Sequence, residues 1–355
     1  MLRAARGGLA AVRAVGAAGA HAGHRRAALR QDLAAVLSGR VRRGSDLRAR
    51  LRRRLVLEQY RLGARFLPHL PDRLVDGGTR LLAGTLALRR GEQRLIVQRN
   101  LRRIGTVGEE SSKGELQRAV RETFVAYGRY YVDCARLAAA GPAEVEAGFT
   151  FENYQHISDA RRAGPGTILV LPHVGSWEWA GVWLAQRPGM KVTAVVEPID
   201  HPELFEWMGR FRRRIGMEIV PAGPEALGAL TRALHEVHVV CLRAERDIDG
   251  GGVEVEFFGE RTTLPGGPAV LARRTGSPIV GVVVSSRNGK CHAVCMPPMV
   301  VSRAGRLRDV VGETTQALAH RLEEMIRTAP TQWHLMQPNW PSDRAALAAF
   351  RDGSE

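Results

Sequence analysis

Between residues 167 and 286 the chain repeats one pattern. Short, continuously apolar runs are "TILVL" (167–171), "KVTAVVE" (191–197), "MEIVPA" (217–222), "VHVVCL" (237–242) and "PIVGVVVSS" (278–286). They alternate with stretches of helical periodicity such as "ELFEWMGRFRRR" and "PEALGALTRALHE". A strand that is apolar at every position must be covered on both faces. A helix between two such strands supplies both that cover and the crossover that parallel pairing requires. The pattern therefore predicts an α/β fold with a largely parallel central sheet flanked by helices. "VVVSSRNGKCHAV" places Asn288-Gly289 between two β-rich runs, which predicts an antiparallel hairpin in part of the sheet.

The chain before the sheet reads as helix. In "ELQRAVRETFVAYGRYYVDCARL" (115–137), Leu116, Val120, Phe124, Tyr127, Tyr131 and Cys134 recur at steps of three and four, one apolar stripe for core packing. "LVLEQYRLGARFLPHLPDRLVDGG" (55–78) carries two prolines and predicts a short helix pair that packs on the body or lies on a membrane surface. "VGETTQALAHRLEEMIRTAP" (311–330) is a helix stopped by a proline.

Charge separates the N-terminus from the rest. Of the formal +16, residues 1–54 hold +12, from fourteen Arg against two Asp. The expected organisation is a basic, disordered Ala/Arg-rich arm (1–54), one domain over 55–345 and a tail (346–355). The domain has a helical part (55–147) and an α/β core (148–345). The arm admits a nucleic-acid-binding reading. The body is nearly charge-balanced and contains no nucleic-acid module, which argues against it. No apolar run reaches the ~18 residues that span a bilayer. The four cysteines, Cys134, Cys241, Cys291 and Cys295, read as structural residues of a reducing compartment. "CHAVC" has no second ligand pair at zinc spacing, so no metal site is expected.

The chemistry concentrates where the apolar runs end. In a parallel sheet, sites form beyond the carboxyl ends of strands. In "LPHVGSWEWAG" (171–181), His173 stands just past such an end, and a helix is expected from Gly175-Ser176, with Glu178 about one turn in. A histidine here can take a proton from an alcohol, a carboxylate can hold its ring, and helix N–H groups can bind an oxyanion. Equally, His173 can cap the helix and Glu178 can face water. "VHVVCLRAERD" (237–247) places Glu245 after a second buried strand. If the two strands are neighbours, Glu245 reaches His173; otherwise it belongs to a salt-bridged loop. The chain has no G-x-S-x-G elbow, no HExxH and no P-loop. A base without a protein nucleophile suits direct attack by a substrate hydroxyl or water, as in acyl transfer from a thioester. "WMGRFRRRIG" (207–216) offers an arginine for an anion or a solvated helix face. Phe257 and Phe258 are either core or the wall of an acyl channel, and "QWHLMQPNW" (332–340) can close over the sheet.

"LPHVGSWEWAG", "VEPIDHPELFEWMGRFRRRIGMEIVP", "VVCLRAERDIDGGGVEVEFFGERTTLPGGPAVLARRTG" and "WHLMQPNW", in this order, resemble the lipid A late acyltransferase superfamily, closest to its actinobacterial phosphatidylinositol mannoside acyltransferase branch. The resemblance covers about residues 55–345. It implies a peripheral enzyme on the cytoplasmic face of the plasma membrane, resting on anionic lipid. That enzyme would move a fatty acyl chain from acyl-CoA, a co-substrate, to a mannose hydroxyl of the glycolipid, without metal or other cofactor. A lysophospholipid or another glycolipid is the alternative acceptor. The family's His-x4-acid motif maps onto His173 and Glu178, where the mannoside branch usually carries Asp. Its second catalytic acid maps onto Glu245, and its acceptor-phosphate arginine onto Arg212. Gly175 and Ser176 are the expected oxyanion donors.

Overall fold

The computed structural model describes residues 43–353, apart from 109, 198–200, 249 and 288. The chain divides into two units, Met1–Glu58 and Gln59–Glu355. Of the first, the structure describes only the helix from Arg43 onward, and the site lies in the second. Most of the expected disordered arm is thus outside the described residues, while its last part, from Arg43, is helical.

The helical part comprises α1 (Arg43–Phe66), α2 (Asp72–Arg89), α3 (Gly91–Ile104), α4 (Lys113–Leu137) and α5 (Pro142–Gly148). Pro68 and Pro71 separate α1 from α2, since each removes a backbone donor and restricts the residue before it. A capping box starts α4: Ser112 accepts from the Glu115 N–H, and the Glu115 carboxylate accepts from the Ser112 N–H. The α/β part then runs β1 (Phe149–Glu152), α6 (Gln155–Ala163), β2 (Thr167–Leu171), α7 (Glu178–Ala185), β3 (Val192–Val196), α8 (Pro202–Arg214), β4 (Met217–Pro221), α9 (Ala226–His235) and β5 (Val239–Arg243). It continues through β6 (Val253–Phe257), β7 (Glu260–Leu264), α10 (Gly267–Thr275), β8 (Ile279–Arg287), β9 (Lys290–Cys295), α11 (Leu307–Arg327) and α12 (Pro341–Arg351).

Among the described residues, seven strands form one sheet in the order β1-β9-β8-β2-β5-β3-β4. The five from β8 to β4 are parallel, and β9 turns back antiparallel to β8 with β1 beside it. The α/β reading therefore stands, and the hairpin is present, although Asn288 of its turn lies outside the described residues. β6 and β7 form a separate antiparallel hairpin.

The period of two along a strand splits the core into two layers. On β2, Ile168 and Val170 join the cluster under α9, α10 and α11, while Leu169 and Leu171 join the one under α5, α6 and α7. Trp333, Leu335 and Trp340 of the C-terminal segment complete the first layer. A third cluster packs α2, α3 and α4 together with Met336. Phe257 and Phe258 belong to the first layer against Trp333 and Trp340, which settles them as core. Along α4 the apolar stripe holds from Leu116 to Phe124, then the buried face shifts to Tyr130, Val132, Asp133 and Leu137. Tyr131 and Cys134 instead line a cavity.

Candidate active site

β2 and β5 are adjacent and parallel, with Leu171 opposite Arg243. The chain leaves both strands in step, so two residues further on His173 stands opposite Glu245. One carboxylate oxygen, Oε1, accepts two hydrogen bonds from His173: from the backbone N–H at 2.6 Å and from Nδ1 by a short contact. Glu245 is fully buried, and its other oxygen has no hydrogen-bond partner among the described residues. Burial works to raise its carboxyl, but the charge and hydrogen bonds of His173 offset this, and the group is held below the ordinary carboxylate range. Burial pushes the imidazole down; Glu245 pulls it back only in part, and Arg243 opposes that pull. At neutral pH the pair is thus a neutral histidine beside a carboxylate. A carboxylate can only accept, so Nδ1 carries the proton and Nε2 is left as a free base. The side chain of His173 remains 26% exposed.

Glu178 does a different job. α7 begins at Glu178 itself, with Trp177 as its cap, rather than at Gly175-Ser176 as the sequence suggested. Its carboxylate is buried and faces Arg212 of α8: Nε donates to Oε2 at 3.2 Å and Nη2 to Oε1 by a short contact. The Tyr130 hydroxyl stands 3.5 Å from Oε1. Burial would raise the Glu178 carboxyl, and Arg212 outweighs it, so the pair is ionised on both sides. The arginine that the sequence offers to an acceptor phosphate is thus the counter-charge of Glu178. A carboxylate buried at a helix start needs a counter-charge, and Arg212 supplies it.

The oxyanion expectation rests on backbone N–H groups, and at Gly175 that group is engaged. Gly175 adopts φ +58°, where a Cβ would run into the Val284 carbonyl, and its N–H already donates to the Gln332 carbonyl at 3.0 Å. That donor is taken. Ser176 is buried and its hydroxyl donates to Asp133 of α4 at 2.5 Å. Both residues line a cleft of about 840 Å³ that has Arg80, Arg118 and Arg121 among its walls.

Three groups near His173 escape a reading by motif. Arg243 ends β5 and lies 5.2 Å over the Trp177 ring, close enough to influence both His173 and Glu178. Strand periodicity was the available signal: positions 241 and 243 share a face, and the last of them is charged. Tyr130 stacks on Trp177 at 4.2 Å. His334 is buried among Tyr127, Tyr130 and Trp177, with neither ring nitrogen hydrogen-bonded among the described residues, and burial followed by the nearby His173 pushes it down to about 3.

A narrow cavity of about 60 Å³ has Trp177 and Arg243 of this cluster in its lining. Its apolar lining includes Leu169, Leu171, Leu184, Met217 and Val282, and Glu178, Arg212 and Arg243 stand at its polar end. On the far side of the Glu178–Arg212 pair lies a second cavity of about 40 Å³, lined by Tyr60, Tyr131, Trp207 and Phe211 among others. The ion pair is a wall shared by both.

Residues 53–342 match the bacterial lipid A biosynthesis acyltransferase family. A phosphatidylinositol mannoside acyltransferase of Mycolicibacterium smegmatis is 32% identical over 287 residues, 80% of this chain and 91% of that protein. One from Mycobacterium tuberculosis is 36% identical over 222 residues, 61% of this chain and 68% of that protein. Matched over most of its length, with His173 and Glu245 facing each other across two strand ends, the chain belongs to the bacterial lipid A biosynthesis acyltransferase family and is an acyltransferase.

Proposed function

We propose that this acyltransferase moves a fatty acyl chain from acyl-CoA to a mannose hydroxyl of a phosphatidylinositol mannoside, with His173 as general base. The observation that carries the mechanism is the His173–Glu245 pair. Nε2 of His173 takes the proton of the acceptor hydroxyl as its oxygen attacks the thioester carbonyl carbon. The negatively charged Glu245 stabilises the imidazolium that forms. The tetrahedral intermediate then collapses, the C–S bond breaks, and the imidazolium returns its proton to the departing thiolate. No bond to the protein forms at any stage. Glu178 is a supporting residue that fixes Arg212, and both shape the polar end of the apolar cavity. The named relatives support the acceptor.

The reading extends to where the enzyme works. Among the described residues no helix is long and apolar enough to cross a membrane. Leu62, Phe66, Leu70, Leu74, Leu81, Leu82 and Leu86 are exposed along the end of α1 and along α2, interspersed with arginines. Such a surface suits peripheral docking on an anionic leaflet, and the cytoplasmic face fits a CoA-borne donor. The arginine-walled cleft beside Gly175 and Ser176 supports an anionic substrate portion next to the base.

The test is transfer from palmitoyl-CoA to purified mannosides, to lysophospholipids and to water. Mannoside acylation that disappears in a folded His173→Ala variant is the expected result. Acylation of lysophospholipids alone would reassign the acceptor, hydrolysis alone would make the protein a thioesterase, and full activity of the variant would end the mechanism.

A further inference from the structure

The segment after α11 holds both members of the pair. Its backbone forms an antiparallel bridge, Val174 opposite Trp333. The Gly175 N–H donates to the Gln332 carbonyl at 3.0 Å and the His334 N–H to the His173 carbonyl at 2.8 Å. This fixes the loop that carries the base. Six residues on from Trp333, the buried Asn339 donates from Nδ2 to the carbonyl of Glu245 at 2.9 Å. β5 has ended at Arg243, so that carbonyl has no sheet neighbour, and at a fully buried residue it must find a partner. Asn339 provides it.

Asn339 is itself held from behind. Its backbone N–H donates to Asp343 at 3.2 Å, and its carbonyl accepts from Thr262. Asp343 is fully buried and receives Arg99 and Arg103 of α3, each at 2.7 Å. A continuous chain of hydrogen bonds thus runs from α3 through Asp343 and Asn339 to Glu245 and ends at His173.

We infer that Asn339 is a positioning residue for the acyl transfer. By fixing the peptide that follows Glu245 it sets where the Glu245 carboxylate points, and so the orientation of the His173 ring. The inference rests on the reading of His173 and Glu245 as the catalytic pair. A carboxylate that meets two donors through a single oxygen tolerates little displacement, since one shift misaligns both bonds. Misplacement of a reacting group by about 1 Å can lower a rate on the order of a hundredfold.

Three variants of the full chain test it, each with activity normalised to folded protein. Asn339→Ala removes the bond to Glu245 and is expected to lower kcat about 10- to 100-fold with KM for acyl-CoA unchanged. Thr275→Ala is the control: Thr275 Oγ1 donates at 2.8 Å to the Leu271 carbonyl, a buried bond of α10 outside this chain of hydrogen bonds. It is expected to lower stability and leave kcat within about twofold.

Asn339→Asp keeps the shape and gives a readout that a structural role cannot produce. Protonated, the new carboxyl donates to the Glu245 carbonyl. Ionised, it repels that carbonyl, with Glu245 and Asp343 as neighbouring carboxylates and Arg99 and Arg103 beyond them. Activity should then fall with rising pH, an alkaline limb absent from the unsubstituted enzyme. Should Asn339→Ala not fold, this profile carries the test alone.

An Asn339→Ala kcat equal to that of the parent, or an Asn339→Asp profile parallel to it, overturns the inference. His173→Ala in the same assay separates the two levels. If it is active, the catalytic pair itself is wrong; if it is inactive while both Asn339 variants behave as the parent, only Asn339 is misassigned.

Discussion

Replacing Glu245 with Gln isolates what the charge of that residue contributes. Oε1 accepts both His173 donors, and a glutamine oxygen in the same place accepts them equally well. The new NH2 group takes the position of Oε2, which has no partner to lose among the described residues. Shape and hydrogen bonds therefore survive, and only the negative charge goes. Opposite unit charges about 4 Å apart, at an effective dielectric of about 20, attract by about 4 kcal/mol. That attraction acts in full on the imidazolium and only weakly on the neutral ring, so it lowers the barrier. At about 1.4 kcal/mol per decade, its loss slows the chemical step by about three decades when proton transfer is complete in the transition state. A partial transfer gives about two.

Single-turnover acyl transfer is the assay, because it keeps slow product release from hiding the effect. A second signature has a definite sign. Glu245 raises the imidazole against burial, so its removal moves the acidic limb of the rate profile to lower pH. A Glu245→Gln rate within tenfold of the parent, or a limb displaced to higher pH, would refute electrostatic stabilisation by Glu245.

The other expectations concern buried charge. His334 lies near 3 in the fold against about 6.5 unfolded, so between these values the unfolded chain binds the extra proton and stability falls as pH falls. The loss from pH 7.5 to 5.5 is about 1.4 kcal/mol from this residue, with His173 acting in the same direction. His334→Phe should flatten urea midpoints between those two pH values; an unchanged pH dependence would show that His334 is not buried neutral. Glu178→Gln or Arg212→Met alone leaves one buried charge uncompensated and should cost about 3–5 kcal/mol. The double substitution should cost clearly less than the sum, and strict additivity in unfolding free energies would mean that the two do not form a pair.

The strands were legible because burial on both faces writes itself as uninterrupted apolar runs. "TILVL" coincides with β2 residue for residue. Neighbourhood was not legible. Whether Glu245 reaches His173 depends on β5 lying beside β2 and on their register, and neither is encoded near either residue. The partners of Glu178 and Gly175 were hidden for the same reason: Arg212 and Gln332 come from elements that meet them only in the folded chain. Asp133 broke the stripe predicted for α4, since a charged residue is read as exposed unless its partner, here Ser176, is known.

Two carboxylates within one site pose a question of division of labour, and their partners answer it. Glu178 is engaged with Arg212, and the charges that act on His173 are those of Glu245, Arg243 and Arg246. Of these only Glu245 is negative, and the two arginines oppose its pull on the imidazole. The imidazole thus meets one negative charge, from the side of Nδ1, and its Nε2 stays unprotonated. The glutamate at position 178, where the resembled branch usually has aspartate, fits its engagement with Arg212. Its extra methylene carries the carboxylate to both Nε and Nη2 of Arg212, whereas a shorter acid would have to draw α7 toward α8. The departure at position 178 therefore bears on the wall of the apolar cavity.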